Sequence, residues 1–227
     1  VFLRFAIMRL VFLPFLAWGQ GDADGLEQLA GLFAGLGGAA GGAPQAPSYC
    51  TGGLVPAPKL TQFDDGMLIA NGCGPQGMPI KEEFGLWKCC NYHDMCYSVC
   101  DAGFEFCEKK FERCMAKVCK GHPAGDQCTS KAKSFSSMTR AFGMGSYTAG
   151  LNQACDCLPP SEASQRSEQF LRSFYTKYNS TALEDDSALS STLAKYKGKE
   201  GQLWMNLIKK YGVKEKMIRF DGVKDEL

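Results

Sequence analysis

The chain has 227 residues, 12 of them Cys, with 45% apolar residues and a formal net charge of +1. That apolar content excludes wholesale disorder, and the near-neutral balance excludes the broad basic surface of a nucleic-acid binder. All 12 Cys lie between Cys50 and Cys157, a density that reads as a disulfide scaffold made in an oxidising compartment.

In chain order, Phe2 to Trp18 is almost entirely apolar, broken by Arg4, Arg9 and Pro14. With Met8 as a start, Arg9 supplies a positive n-region, Leu10 to Leu16 the apolar core and Ala17-Trp18-Gly19 a small-x-small cleavage site, so 1–19 is expected to be a secretory signal peptide. Residues 20–49 are rich in Gly, Ala and Pro and read as a linker or pro-segment. Within them Leu26, Leu29, Ala30, Phe33 and Leu36 recur at helical spacing. A short helix there could touch a membrane or a partner, but so much Gly leaves it marginal alone.

The Cys-rich module, 50–159, begins with a Gly- and Pro-containing loop from Cys73 to Pro79. The spacing of Trp87, Cys90, Asp94 and Tyr97 then predicts a helix over 82–99, and Phe104, Cys107, Phe111, Cys114 and Val118 predict a second over 104–118. A third helix is expected over 130–144, ended by Gly143-Met144-Gly145. Helices cross-linked by cystines form a rigid frame without a large apolar core.

Residues 160–223 contain no Cys, and three short helices are expected over 167–178, 187–196 and 200–211. Their apolar stripes, Phe170/Phe174/Tyr178, Leu189/Leu193/Tyr196 and Leu203/Trp204/Leu207/Ile208/Tyr211, suit the core of a small helical bundle, whose outer faces could also meet a protein partner. Asn179-Ser180-Thr181 is a glycosylation acceptor pattern. Residues 224–227, Lys224-Asp225-Glu226-Leu227, match the signal that a retrieval receptor reads to return proteins to the endoplasmic reticulum. No other segment is apolar over a bilayer-spanning length, so the expectation is a soluble protein of the endoplasmic reticulum lumen and secretory pathway, with secretion to the exterior as the alternative.

Only two His occur, and His93 stands in Cys89-Cys90-Asn91-Tyr92-His93-Asp94-Met95-Cys96-Tyr97. On a helix, His93 and Asp94 project about 100° apart, so an imidazole can act in one part of a cleft while the carboxylate binds an ion beside it. Adjacent Cys89 and Cys90 can clamp the helix to two separate elements. Zinc is disfavoured because the adjacent Cys89 and Cys90 lack the usual two-to-four-residue spacer of a ligand pair. Redox chemistry is disfavoured because no Cys-x-x-Cys pair occurs. His122, in a Gly-Pro loop, reads as exposed.

This Cys-Cys-x-x-His-Asp-x-Cys-Tyr run resembles the active-site helix of secreted phospholipases A2, and Asn71-Gly72-Cys73-Gly74 is most similar to the calcium loop of the group XII branch. The second helix, with Cys107-Glu108 and Cys114, extends the resemblance, which covers about 50–159. It implies a disulfide-rich, all-α fold: an antiparallel helix pair with a calcium loop, followed by the smaller helical segment. It also implies cystines Cys73–Cys90, Cys89–Cys114 and Cys96–Cys107.

The activity implied by the resemblance is Ca2+-dependent hydrolysis of the sn-2 ester of glycerophospholipids at a membrane surface. His93 would be the general base acting on water, suited by an imidazole pKa near physiological pH. Asp94 and loop carbonyls of Gly72, Gly74 and Gln76 or Gly77 would hold Ca2+, and the Gly74 N–H would be an oxyanion donor. Tyr97 would support the network. Two positions depart from the family pattern. The loop reads Cys73-Gly74-Pro75-Gln76-Gly77 in place of Cys-Gly-x-Gly-Gly, and Glu108 stands where an Asp normally orients the His. Glu can do this if its extra methylene is accommodated. The alternative is a catalytically weak or inactive lipid-binding or structural relative.

Overall fold

The computed structural model describes residues 49–63, 68–75, 78–81 and 83–218. The expected leader (1–19), nearly all of the linker with its short helix, loop residues Gln76 and Gly77, and the retrieval tetrapeptide 224–227 lie outside them.

The elements run in the order β1 (Val55–Pro58), β2 (Ile69–Ala70), α1 (Trp87–Tyr97), α2 (Phe104–Cys119), α3 (Gly125–Phe142), α4 (Met144–Ala154), β3 (Cys155–Leu158), α5 (Pro160–Tyr178), a 3-10 turn (Ser180–Leu183), α6 (Asp186–Lys195), α7 (Glu200–Tyr211) and β4 (Lys216–Met217). The fold is disulfide-rich and mostly helical, and the all-α expectation is corrected by four short strands among the described residues. β1 and β3 pair antiparallel, Val55 opposite Leu158 and Pro58 opposite Cys155. The sequence Val-Pro-Ala-Pro hides β1, because Pro lacks a ladder donor. In a two-stranded sheet each strand has an open edge where that donor is not needed. β2 and β4 pair in parallel, Ile69 opposite Lys216.

α1 starts five residues later than its spacing predicts. Phe84 and Gly85 both take positive φ, 64° and 75°, which a right-handed helix cannot contain. The segment turns there, placing Phe84 edge-on to His122 with ring centroids 5.4 Å apart. His122 is therefore half-buried rather than exposed, and its Nδ1 accepts from the Ala124 N–H at 3.1 Å. The third expected helix is α3, which starts five residues earlier than predicted, and a further helix, α4, follows directly after Gly143, where the sequence predicts a break. α5 begins earlier than predicted, with Pro160 at the first helical position, where its missing N–H costs nothing. At the start of α6 the Asp185 carboxylate accepts from the Ala188 N–H at 3.0 Å, a cap that satisfies one orphan donor.

Six cystines are present: Cys50–Cys157, Cys73–Cys90, Cys89–Cys114, Cys96–Cys107, Cys100–Cys155 and Cys119–Cys128. Cys89 and Cys96, near opposite ends of α1, are tied to Cys114 and Cys107 of α2. Beside these, Cys73, Leu86, Phe111, Met115 and Phe135 form one apolar cluster. A larger cluster joins the Cys-rich region to the later helices: Met95, Tyr97, Phe104 and Tyr147 belong to the same buried group as Phe170, Phe174, Trp204 and Ile208. Phe63 stacks on Phe170 at 4.7 Å, and Phe170 meets Trp204 edge-on at 4.7 Å. The stripes of α5–α7 thus bury against the Cys-rich elements as well as against one another. No helix among the described residues is long and apolar enough to cross a membrane.

Candidate active site

His93 lies on α1, 5% exposed, between the rings of Tyr97 and Phe111 at centroid distances of 4.2 and 4.4 Å. Its Nε2 is 2.5 Å from Glu108 Oε1, and Glu108 is itself only 2% exposed. A buried carboxylate needs donors, and three converge on it. The Tyr97 hydroxyl donates to Oε1 at 2.6 Å and the Thr139 hydroxyl to Oε2 at 2.6 Å, beside the His93 ring. Burial opposes the Glu108 charge, but the hydrogen bonds and charge of His93, with Thr139 and Tyr97, outweigh it and hold the carboxyl below its usual range. An ionised Glu108 accepts a hydrogen bond from Nε2–H, leaving Nδ1 as the ring nitrogen with a free lone pair. Burial and the same carboxylate push the Tyr97 hydroxyl far up, so it stays a donor.

The extra methylene of Glu108 is absorbed by α3. Its carboxylate reaches both His93 on one side and Thr139 on the other. Thr139 was not among the residues singled out from the sequence, and no motif marks it. The signal nearby is Gly143, one turn later. A Cβ there would collide with the Tyr97 hydroxyl and the Thr139 carbonyl, and one at Gly150 would collide with the Tyr97 carbonyl. Two glycines seven residues apart therefore bring α3 and α4 against the end of α1 that carries Tyr97.

Asp94, next to His93 on α1, meets the loop at Asn71 and Gly72. Its Oδ2 accepts from the Asn71 backbone N–H at 2.9 Å. With its carboxamide turned so that nitrogen meets acceptors, Asn71 also donates to Asp94 Oδ2 at 3.0 Å and to the Gly72 carbonyl at 3.2 Å. Burial pushes the Asp94 carboxyl up to about 7, against backbone hydrogen bonds from Asn71 and Gly72 that pull it down. Gly74 has φ 113°. A Cβ on it would strike the Met78 carbonyl at 2.5 Å and the Ile80 nitrogen at 2.9 Å, so the loop closes only over a glycine.

The donor chemistry fits a hard cation in one respect: Asp94 Oδ2 and the Gly72 carbonyl converge closely enough to share one amide nitrogen. It is sparse in another, since among the described residues no group of three or more His, Cys, Asp or Glu side chains could hold a metal. Further ligands would be backbone or amide oxygens or water.

These residues share a cleft of about 480 Å³. His93, Asp94, Gly72 and Gly74 line it, with Phe142 and Ile218 also in its wall. The buried His93 forms the floor, while Phe142 and Ile218 are 61% and 40% exposed at the mouth. A volume of this size accommodates a small-molecule or lipid-tail ligand.

Comparison with known proteins places the chain in a family. A 74-residue stretch is 38% identical to the human (Homo sapiens) group XIIA secretory phospholipase A2, covering 31% of this chain and 38% of that protein. The mouse (Mus musculus) group XIIA secretory phospholipase A2 is 32% identical over 74 residues, 31% of this chain and 37% of the relative. The chain thus spans under two fifths of the length of the curated relatives it matches. No solved structure matches it. The family model for the group XII secretory phospholipase A2 precursor matches residues 22–165, more than half of the chain, and with this site inside the matched region the chain belongs to the group XII secretory phospholipase A2 family.

Proposed function

We propose that the chain hydrolyses the sn-2 ester of glycerophospholipids at a membrane surface, in a calcium-dependent reaction. The observation that carries this reading is the buried Glu108–His93 pair in a cleft whose exposed lining includes Phe142 and Ile218. Glu108 holds the proton on Nε2, so Nδ1 is the atom that would take a proton from water as it attacks the ester carbonyl. Tyr97 and Thr139 keep Glu108 ionised and in place. The Gly74 N–H would donate to the developing oxyanion. Ca2+, when bound, neutralises the phosphate and the developing oxygen charge. Asp94 with the carbonyls of Gly72 and Gly74 would hold it, and Gln76 and Gly77 are the further loop candidates. The paired cystines between α1 and α2 support an antiparallel arrangement of these helices behind the loop.

One observation favours a second reading, a catalytically weak or inactive lipid-binding relative. The Asn71 amide sits across Asp94 Oδ2 and the Gly72 carbonyl, two of the oxygens the ion would need. The deciding experiment compares wild type with His93→Gln on mixed phospholipid vesicles with calcium, identifying the product position. For the enzyme, His93→Gln is expected to lose roughly 10²–10⁴-fold in rate, the usual worth of a general base, while calcium binding persists. Vesicle binding without cleavage by folded wild type, across a broad pH and calcium range, selects the second reading.

Secretory targeting through 1–19 and retrieval to the endoplasmic reticulum through a receptor for Lys224-Asp225-Glu226-Leu227 belong to the same proposal, supported by the sequence patterns. Deleting 224–227 is expected to raise the amount in the medium of expressing cells. Equal secretion of both forms would remove the retrieval part.

A further inference from the structure

Strand β4 and the Ile218 that follows it lie beyond residues 22–165, the part matched by the family model, yet this segment reaches the cleft through Ile218. It is fastened from two sides. Along its backbone, the Lys216 N–H donates to the Leu68 carbonyl at 2.7 Å and the Ile218 N–H to the Ala70 carbonyl at 2.8 Å. From α1, the carboxamide of Asn91, two residues before His93 and 3% exposed, donates to Glu215 Oε1 at 3.1 Å and Met217 Sδ at 3.2 Å. Both amide hydrogens are thereby spent on this one segment. Because side chains alternate along a strand, a backbone that turns Met217 toward α1 turns Ile218 the other way, and Ile218 lines the cleft.

A β-branched side chain on a hydrogen-bonded strand has few rotamers to lose on contact. It stands at the mouth, 40% exposed, while the reacting end of a bound ester would lie at His93 on the floor. A chain too short to leave the floor would not meet it. A longer one would cross it on the way out.

We propose that Ile218, held in place by β4, is a specificity wall of the cleft, contacting the outer part of a phospholipid acyl chain and so favouring long chains over short ones. The inference rests on the reading of the cleft as a phospholipid site. The test uses the full chain and two non-hydrolysable phosphatidylcholines with sn-2 ether links, one with a short and one with a long sn-2 chain. Affinities are measured by calorimetry in mixed micelles, in calcium and in chelator, so that no turnover is needed.

Ile218→Ala removes three carbons, about half of which would be in contact, so the long-to-short affinity ratio is expected to fall about five- to tenfold. Amide exchange at position 218 reports whether the strand stays docked. If the Ala variant undocks, Ile218→Thr, which remains β-branched but carries a hydroxyl, is read in its place and the same fall is expected. A ratio unchanged in a docked variant, while wild type binds both probes, overturns the wall and leaves the phospholipid site standing. Wild type binding neither probe overturns the site reading, and the wall with it.

Discussion

At the proposed calcium site, Asn71 is the residue on which affinity would turn. Its amide hydrogens hold Asp94 Oδ2 and the Gly72 carbonyl, so an ion entering there must displace a charge-assisted hydrogen bond worth about 1.5 kcal/mol or more. Asn71→Ala is expected to tighten calcium binding about tenfold, measured by calorimetry. The proton is a second competitor. With the Asp94 carboxyl pushed up to about 7, the ion must expel a proton below that pH, so apparent affinity falls as pH drops beneath 7 and levels off above it. Affinity that is flat from pH 5 to 8 and indifferent to Asn71→Ala would place the ion elsewhere. At this scale the sequence is unevenly legible. His93 and Asp94 stand out within a Cys frame and the family resemblance marks Glu108, and the structure brings His93 and Glu108 together. Thr139 and Asn91 carry no mark, because a hydroxyl that reaches a carboxylate 31 residues away and an amide that reaches a side chain 124 residues away are products of packing alone.

Among the elements, helices with strong apolar periodicity were readable and their ends were not. α2, α6 and α7 occupy nearly the residues their stripes predict. α1 was overextended, since nothing in a Phe announces a positive φ, and α4 was missed because its glycines look like breakers. Gly143 is helical in backbone, φ −71° and ψ −17°. It is there because Tyr97 and Thr139 leave no room for a Cβ. Gly143→Ala is therefore expected to destabilise the protein by about 1–3 kcal/mol, the usual cost of overpacking, despite the better helix propensity of Ala. It should also disturb the Tyr97–Glu108 contact and lower hydrolysis more than its stability loss explains. Denaturant melts together with rates on the folded fraction test both parts. A stabilised Gly143→Ala variant would show that α3 and α4 are free to part.

For the molecule as a whole, the Cys distribution suggests two separable parts, whereas the buried aromatic cluster crosses between them. Periodicity gives each helix a face but cannot say which neighbour the face meets. Because Phe63 and Tyr97 share a core with Phe170 and Trp204, residues 160–218 expressed alone are expected to show little helix. The Cys100–Cys155 bridge, with a separation of 55 residues, is worth about 4 kcal/mol by loop entropy. Reduction should then lower the midpoint for far-ultraviolet helicity and for the fluorescence of Trp204, 1% exposed, together. Two separated transitions would instead show that α5–α7 stand without the cystine frame.

The outermost of these bridges has a further effect. Cys50–Cys157 turns the backbone between its two ends into a covalent ring, within which all the other cystines lie. A single proteolytic nick anywhere in that ring changes the mass only by a water molecule and releases no fragment until reductant is added. His93, Asp94, Glu108 and the loop at Gly72 and Gly74 all sit inside the ring, so a nicked molecule keeps these residues on one covalent body, and only a second cut or a thiol can part them.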